Sequence, residues 1–128
     1  MTQHSDKAIG LRHCFVEHTG NVWRVDTLIK AADVLDTFRL HLSRISTGHL
    51  IAWHMSNVHD VLNHLTRIRN ANLSVPIILR VDGKVMNGWH RIIRAMYEGK
   101  RYILAKQFVA NPQPDFILPG DHPAVARV

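Results

Sequence analysis

One cysteine, Cys14, stands alone in 128 residues. No internal disulfide can form, and no cysteine-built metal site. That usage fits a reducing compartment, so a cytoplasmic protein is expected. No run of about 18 uncharged apolar residues occurs, which leaves no candidate for a membrane-spanning helix. The opening "MTQHSDKAIG" lacks the apolar centre of a secretory signal. Acids are scarce: ten Asp and Glu stand against sixteen Lys and Arg, a net charge of +6. The ten histidines add positive charge below about pH 6.5. Such an excess favours polyanionic partners, namely nucleotides, nucleic acid or anionic surfaces. The shortage of acids also supplies a two-metal nuclease site poorly, because phosphoryl chemistry usually holds its metal on carboxylates. Aromatic residues are few and fall mostly in apolar stripes, which argues against a stacking platform for single strands.

What is present is a mixed α and β pattern without repeats or linkers, read as one domain over 1–128. "LRHCFVEH" and "NVWRV" flank Thr19-Gly20-Asn21 and predict a hairpin. "DTLIKAADVLD" places Leu28, Ile29, Ala32 and Leu35 on one helical face, with Asp26 as N-cap. "TFRLHL" alternates as a half-buried strand. A helical pattern then runs from about His49 to Asn70, broken near Ser56-Asn57, with Val58, Val61, Leu62, Leu65 and Ile68 as its apolar face. "VPIILRV-DG-KVM" predicts a second hairpin closed by Asp82-Gly83 in a type I′ turn. A helix from Trp89 to Glu98 follows, with Trp89, Ile92, Ile93 and Met96 as its core stripe and Gly99 as its stop. "RYILAKQFV" predicts a last strand, and the tail from Asn111, with four prolines, reads as irregular chain. The fold class is therefore α+β, a small mixed sheet flanked by helices.

The junction "VMNGWHRIIRA" carries the candidate site. A helix N-terminus has unpaired N–H groups and a positive dipole end, where acids are the usual neighbours. Here the first turn holds His90 and Arg91 instead. That combination makes an anion site, with Gly88 allowing close approach of a ligand to the backbone. Arg91 would grip phosphate oxygens through its planar fork. His90 would donate a hydrogen bond, its pKa raised by the anion. Asn87, Arg94, Lys84 and Arg80 are near enough in sequence to add positive potential or hydrogen bonds. The competing reading makes Arg94 a solvated partner of Glu98 at i,i+4.

The ordered series Pro76-Ile77, Asp82-Gly83, Gly88 with His90 and Arg91, Ala95, and the strand Ile103 to Phe108 resembles the signature region of the ParB/sulfiredoxin-like superfamily. The similarity is closest to small stand-alone bacterial ParB-like proteins, covers residues 22–110 and is strongest over 64–108. It leaves 111–128 as a proline-rich tail. The resemblance implies a nucleotide-phosphate pocket at Gly88, His90 and Arg91, with ATP or CTP and Mg2+ as the expected ligand. Asn87 stands where the small relatives often carry Asp, and an amide cannot replace a carboxylate base. Trp89 stands where sulfiredoxins carry their nucleophilic cysteine, so sulfinic-acid repair is not expected. Cys14 is expected to be a small core residue. Nineteen residues follow Val109, so the complete centromere-binding clamp of partition ParB proteins, with its helix-turn-helix and dimerisation regions, is not expected.

Three functions follow: a nucleotide-binding regulatory module in DNA-related processes, a weak NTPase or nuclease, and a basic nucleic-acid binder needing no nucleotide. The nuclease reading would draw on Asp60, Asp82, Glu98 and Asp115 for metal and on His64 or His90 as general base. His49, His54, His59 and His64 recur every five residues and do not share a helical face. Asp60 and His64 do share one, but a structural zinc site wants four ligands, so no metal site is expected. A nucleotide is the expected partner, with nucleic acid, a protein partner or a second copy as the others.

Overall fold

The computed structural model describes residues 13–48, 53 and 55–122. Within it the chain forms two compact units, one from residues 1–33 and 112–128, the other from 34–111. The fold class is α+β, with two separate sheets.

In the first unit, β1 (Cys14–Val16) and β2 (Asn21–Arg24) form the expected antiparallel hairpin. Its loop is closed by Glu17 N–H to Asn21 O and Gly20 N–H to Glu17 O, both 2.9 Å, with Gly20 at φ +97°. A Cβ on Gly20 would lie 2.5 Å from the carbonyl oxygen of Leu118, so no side chain fits there. Glu17 is buried, and its carboxylate accepts from Thr19 Oγ1 and Asn21 Nδ2, which keeps the turn polar groups satisfied. The tail departs from its irregular reading: β7 (Phe116–Ile117) pairs antiparallel with β2.

The helix α1 (Val25–Ala32) also departs in its cap. Arg24 is the N-cap residue, and Asp26 lies in the first turn. The carboxylate that serves this end belongs to Asp115, which accepts the Arg24 N–H at 2.7 Å and the Thr27 hydroxyl at 2.9 Å. Its charge also suits the positive end of the helix. Leu28 and Ala32 are buried while Ile29 is exposed, and Leu35 lies beyond the helix end. Trp23 is buried and its indole N–H donates to the Pro112 carbonyl at 2.9 Å.

The second unit holds a four-stranded sheet in the order β3-β6-β4-β5. Its strands are β3 (Phe38–His41), β4 (Ile77–Leu79), β5 (Val85–Asn87) and β6 (Tyr102–Gln107). The β4–β6 pair is parallel and the other two are antiparallel. The parallel pair requires a crossover, which the helix α3 (Trp89–Tyr97) supplies. Ile77, Leu79, Val85, Ile92, Ala95, Ile103 and Ala105 make the core, with Leu40, Leu73 and Trp89 packed against it. Trp89 is thus held by the core, as its helical spacing predicts. Met96 is exposed, and Ala95 takes the inward place expected of it.

The β4–β5 loop corrects the type I′ turn. Arg80 N–H bonds the Lys84 carbonyl at 2.7 Å and Gly83 N–H bonds the Arg80 carbonyl at 2.9 Å. Only Gly83 has positive φ, +90°, whereas type I′ needs it at both central residues. The loop is the three-residue kind with glycine last, the same pattern as Glu17–Asn21.

The helix α2 (Val58–Arg69) begins at Asn57, whose side chain accepts the Asp60 N–H at 3.0 Å. The break expected near Ser56-Asn57 falls at this cap; of the helical pattern expected before it, residues 49–52 and His54 lie outside the described residues. The apolar face expected for α2 is mostly exposed: Val58, Val61, Leu62 and Leu65 all face outward. Its partly buried line is Asp60, His64 and Ile68, spaced by four residues.

Gly99 and Gly88 separate two uses of glycine. Gly99 (φ +72°) has open space where a Cβ would be, while Gly88 (φ +125°) would place one 2.4 Å from Ile77 Cγ2. Gly88→Ala therefore combines strain with overpacking and is expected to cost about 3 kcal/mol or more. Gly99→Ala is expected to cost about 1 kcal/mol, from backbone strain alone. Urea denaturation of the two variants checks the difference. In the first unit, Asp115→Ala is expected to cost about 1 kcal/mol through loss of the α1 cap.

Candidate functional site

The site is built where β5 hands over to α3. Gly88 is the N-cap residue of α3 and offers no side-chain acceptor, and no acid stands in the first turn. The first-turn N–H groups of a helix end have no intrahelical partner. The space that a side chain at Gly88 would fill is held by Ile77, so its missing Cβ serves the packing of α3 on β4.

His90, in the first turn, meets His64 of α2. His64 Nδ1 and His90 Nε2 are 2.9 Å apart. The ring centroids are 5.2 Å apart and the planes differ by 12°. A nitrogen contact that short at that separation means the imidazoles meet edge to edge in nearly one plane. Trp53 lies over both, 4.2 Å from His64 at 6° and 4.3 Å from His90 at 13°. One nitrogen must donate and the other accept, so the bond survives only while at least one ring is neutral.

The His90 pKa is pushed down to about 4 from the usual 6.5, first by burial and then by repulsion from His64, Arg67 and Arg91. Neutral imidazole is therefore the form at pH 7. The place is electropositive, and it is so before any ligand arrives.

The two arginines of α3 hold backbone. Arg91 Nη1 donates to the carbonyls of Val75 at 3.1 Å and Pro76 at 2.8 Å, tying the first turn of α3 to the entrance of β4. Burial lowers its pKa. The hydrogens of Nε and Nη2 lie outside these two bonds, so the guanidinium retains donors. Arg94 donates from Nη1 to the carbonyls of Arg69 and Ala71 and from Nε to Glu98 Oε2 at 2.9 Å. It joins α3 to the end of α2, and the Glu98 pair is the i,i+4 bridge weighed against a ligand role. Asn87 closes β5 opposite Ile78 and is half-buried. Lys84 sits at the loop end of β5, about 13 Å of extended chain from Gly88. Gly88, His90 and Arg91 thus come together, joined by Arg67, His64 and Trp53, while Arg94 is held by Glu98 and the end of α2.

The candidate carboxylates do not converge. Asp60 accepts from Ser56 N–H and Oγ at 3.0 and 3.2 Å. Asp82 is paired with Arg80, which holds its carboxyl far below the usual range. Glu98 is paired with Arg94, and Asp115 serves α1. Among the described residues no group of three or more His, Cys, Asp or Glu is placed to share a metal ion. Those present near His90 do not fit Mg2+ held by protein carboxylates. Cys14 is half-buried, and its thiol pKa is raised, chiefly by burial.

Trp53 was not read from the sequence as a site residue. The one available signal is its position among the spaced histidines His49, His54, His59 and His64. No protein-family model, no curated protein and no solved structure matches the chain.

Removing the cover by Trp53→Ala admits water to both imidazoles, so the His90 pKa is expected to rise from about 4 toward 6.5. An NMR titration of the ring protons measures this. His90 protonates near 6.5 in the unfolded chain but near 4 in the fold. The unfolded state therefore binds more protons between those values, and stability falls as pH drops through that window. His90→Gln is expected to flatten that dependence in urea melts at pH 7 and 4.5.

Proposed function

We propose that the chain is a ParB-like phosphate-binding module that takes a nucleotide at the start of α3 and acts in regulation of DNA-related processes. The observation that carries this reading is the electrostatic setting of His90. It is a half-buried imidazole beside Arg67, Arg91 and His64, at a helix start without a side-chain cap or a first-turn acid. A phosphate there would face the start of α3 and take the remaining Arg91 donors and a hydrogen bond from His90. It would also offset the cationic repulsion that adds to burial in lowering the His90 pKa. Any Mg2+ would arrive on the phosphates, since the neighbouring carboxylates are engaged elsewhere.

A second reading, weak hydrolysis of the bound nucleotide, is favoured by the same neutral imidazole. At pH 7 His90 is in the form that accepts a proton from water.

The test is calorimetry with ATP, CTP and GTP, with and without Mg2+, at pH 7 and 5.5, on the wild type and His90→Gln. Saturable binding is expected, about tenfold weaker in the variant for loss of one hydrogen bond to a charged group. An anion raises the His90 pKa, so binding should tighten as pH falls. Sulfate, whose charge is constant over this range, should show the same trend. No heat with any nucleotide at either pH overturns the proposal. Phosphate release from the same mixtures, lost in His90→Gln, would establish the second reading.

A further inference from the structure

At the other end of α3 the chain builds a second cationic place. Gly99 N–H bonds the Met96 carbonyl at 3.1 Å and Lys100 N–H bonds the Ala95 carbonyl at 2.9 Å, ending the helix and turning the chain into β6. Lys100 and Arg101 leave this turn, and Arg39 reaches the same place from β3. The three line one open cavity of about 400 Å³, together with Leu73, Tyr102 and Leu104. No acidic side chain lines it. The sheet register explains the convergence: His41 faces Tyr102 and Arg39 faces Leu104, so Arg39 lies diagonally across from Tyr102 on one sheet face. The Arg39 guanidinium stands 4.3 Å over the Tyr102 ring, and His41 meets that ring edge-on at 5.0 Å.

Cations after a helix C-terminus suit its dipole, which accounts for Lys100 and Arg101 in part. It does not account for Arg39, from another strand, nor for three like charges around one cavity without a carboxylate. An anion with several separated charges suits that arrangement. The exposed Arg39–Tyr102 pair adds a planar surface that an unpaired base can stack on. In a duplex that base face is covered.

We propose that this groove binds the phosphodiester backbone of a single-stranded nucleic acid, with Lys100, Arg101 and Arg39 on phosphates and the Arg39–Tyr102 pair under one base. This surface is independent of the nucleotide reading: His90 lies in the first turn of α3 and Lys100 follows its end, and the seven helical residues after His90 span about 10 Å. The scarcity of aromatic residues argued against a stacking platform in general, but the groove needs only one ring.

The test is fluorescence anisotropy with a labelled ten-nucleotide oligothymidine and a ten-base-pair duplex, from 0.05 to 0.3 M salt. Wild type, Lys100→Gln/Arg101→Gln, Tyr102→Ala and His90→Gln are compared after circular dichroism confirms their folding. Three phosphate contacts predict a log–log salt slope of about −2 for the single strand, and the double variant should lose about 1.4 of it. The same release predicts about tenfold weaker binding by the double variant at 0.15 M salt. Tyr102→Ala is expected to weaken binding at least about fivefold with the slope unchanged. His90→Gln should bind the strand like the wild type, even if it loses nucleotide. Equal binding by the double variant and the wild type overturns the proposal. Preference for the duplex overturns it, as does binding of inorganic phosphate or mononucleotide without binding of the oligonucleotide.

Discussion

The second unit depends on how closely α3 can approach β4. Gly88 lets the chain leave β5 at a φ of +125° with Ile77 packed against its bare Cα. That contact sets the height of α3 over the sheet. Ile92 and Ala95 are then fully buried, and Arg91 reaches the carbonyls of Val75 and Pro76. His90 is brought to His64 by the same placement. A larger residue at position 88 would lift the helix, and the core, the arginine tether and the imidazole pair would all be disturbed. Packed interiors transmit strain in this way because they contain little spare volume.

The parts legible in the sequence were those written in local chemistry. Alternation identified β3, the β-branched run identified β4, and the glycine turns identified both hairpins. The α3 helix was legible from Trp89 onward because Gly88 and Gly99 punctuate it. Elements decided by distant partners were less legible. The α1 cap is Asp115, 91 residues from the N–H it accepts. No local pattern could show that, and Asp26 was the plausible choice from nearby sequence alone. The tail strand Phe116–Ile117 was hidden by its prolines, because only pairing with β2 makes it a strand. The α2 helix misled by amphipathicity: its most apolar face is outward, and the polar line of Asp60 and His64 turns inward with Ile68.

The candidate site was half legible for the same reason. Gly88, His90 and Arg91 are contiguous, and helix-end electrostatics drew attention to them. His64 stands in the sequence as a candidate base and as a neighbour of Asp60, with nothing local to tie it to His90, 26 residues on. Trp53 carried no periodic signal at all. Both become visible when α2 and α3 pack side by side. The arginines have a structural task beside their charge: Arg91 donates to the carbonyls of Val75 and Pro76, and Arg94 to those of Arg69 and Ala71. Their charge still contributes potential, but their position is set by the backbone they hold.

The first unit takes its residues from both sides of the second, and this bears on the order in which the chain can assemble. Residues 34–111 are continuous; β4, β5 and β6 follow one another by a hairpin and a crossover, and β3 pairs with β6 across residues 42–101. The hairpin of β1 and β2 emerges earlier during synthesis, yet the Trp23 indole N–H waits for Pro112 and the start of α1 waits for Asp115. Closing contacts across so long a loop is entropically slow. On a ribosome, the hairpin made before the second unit would be completed after it.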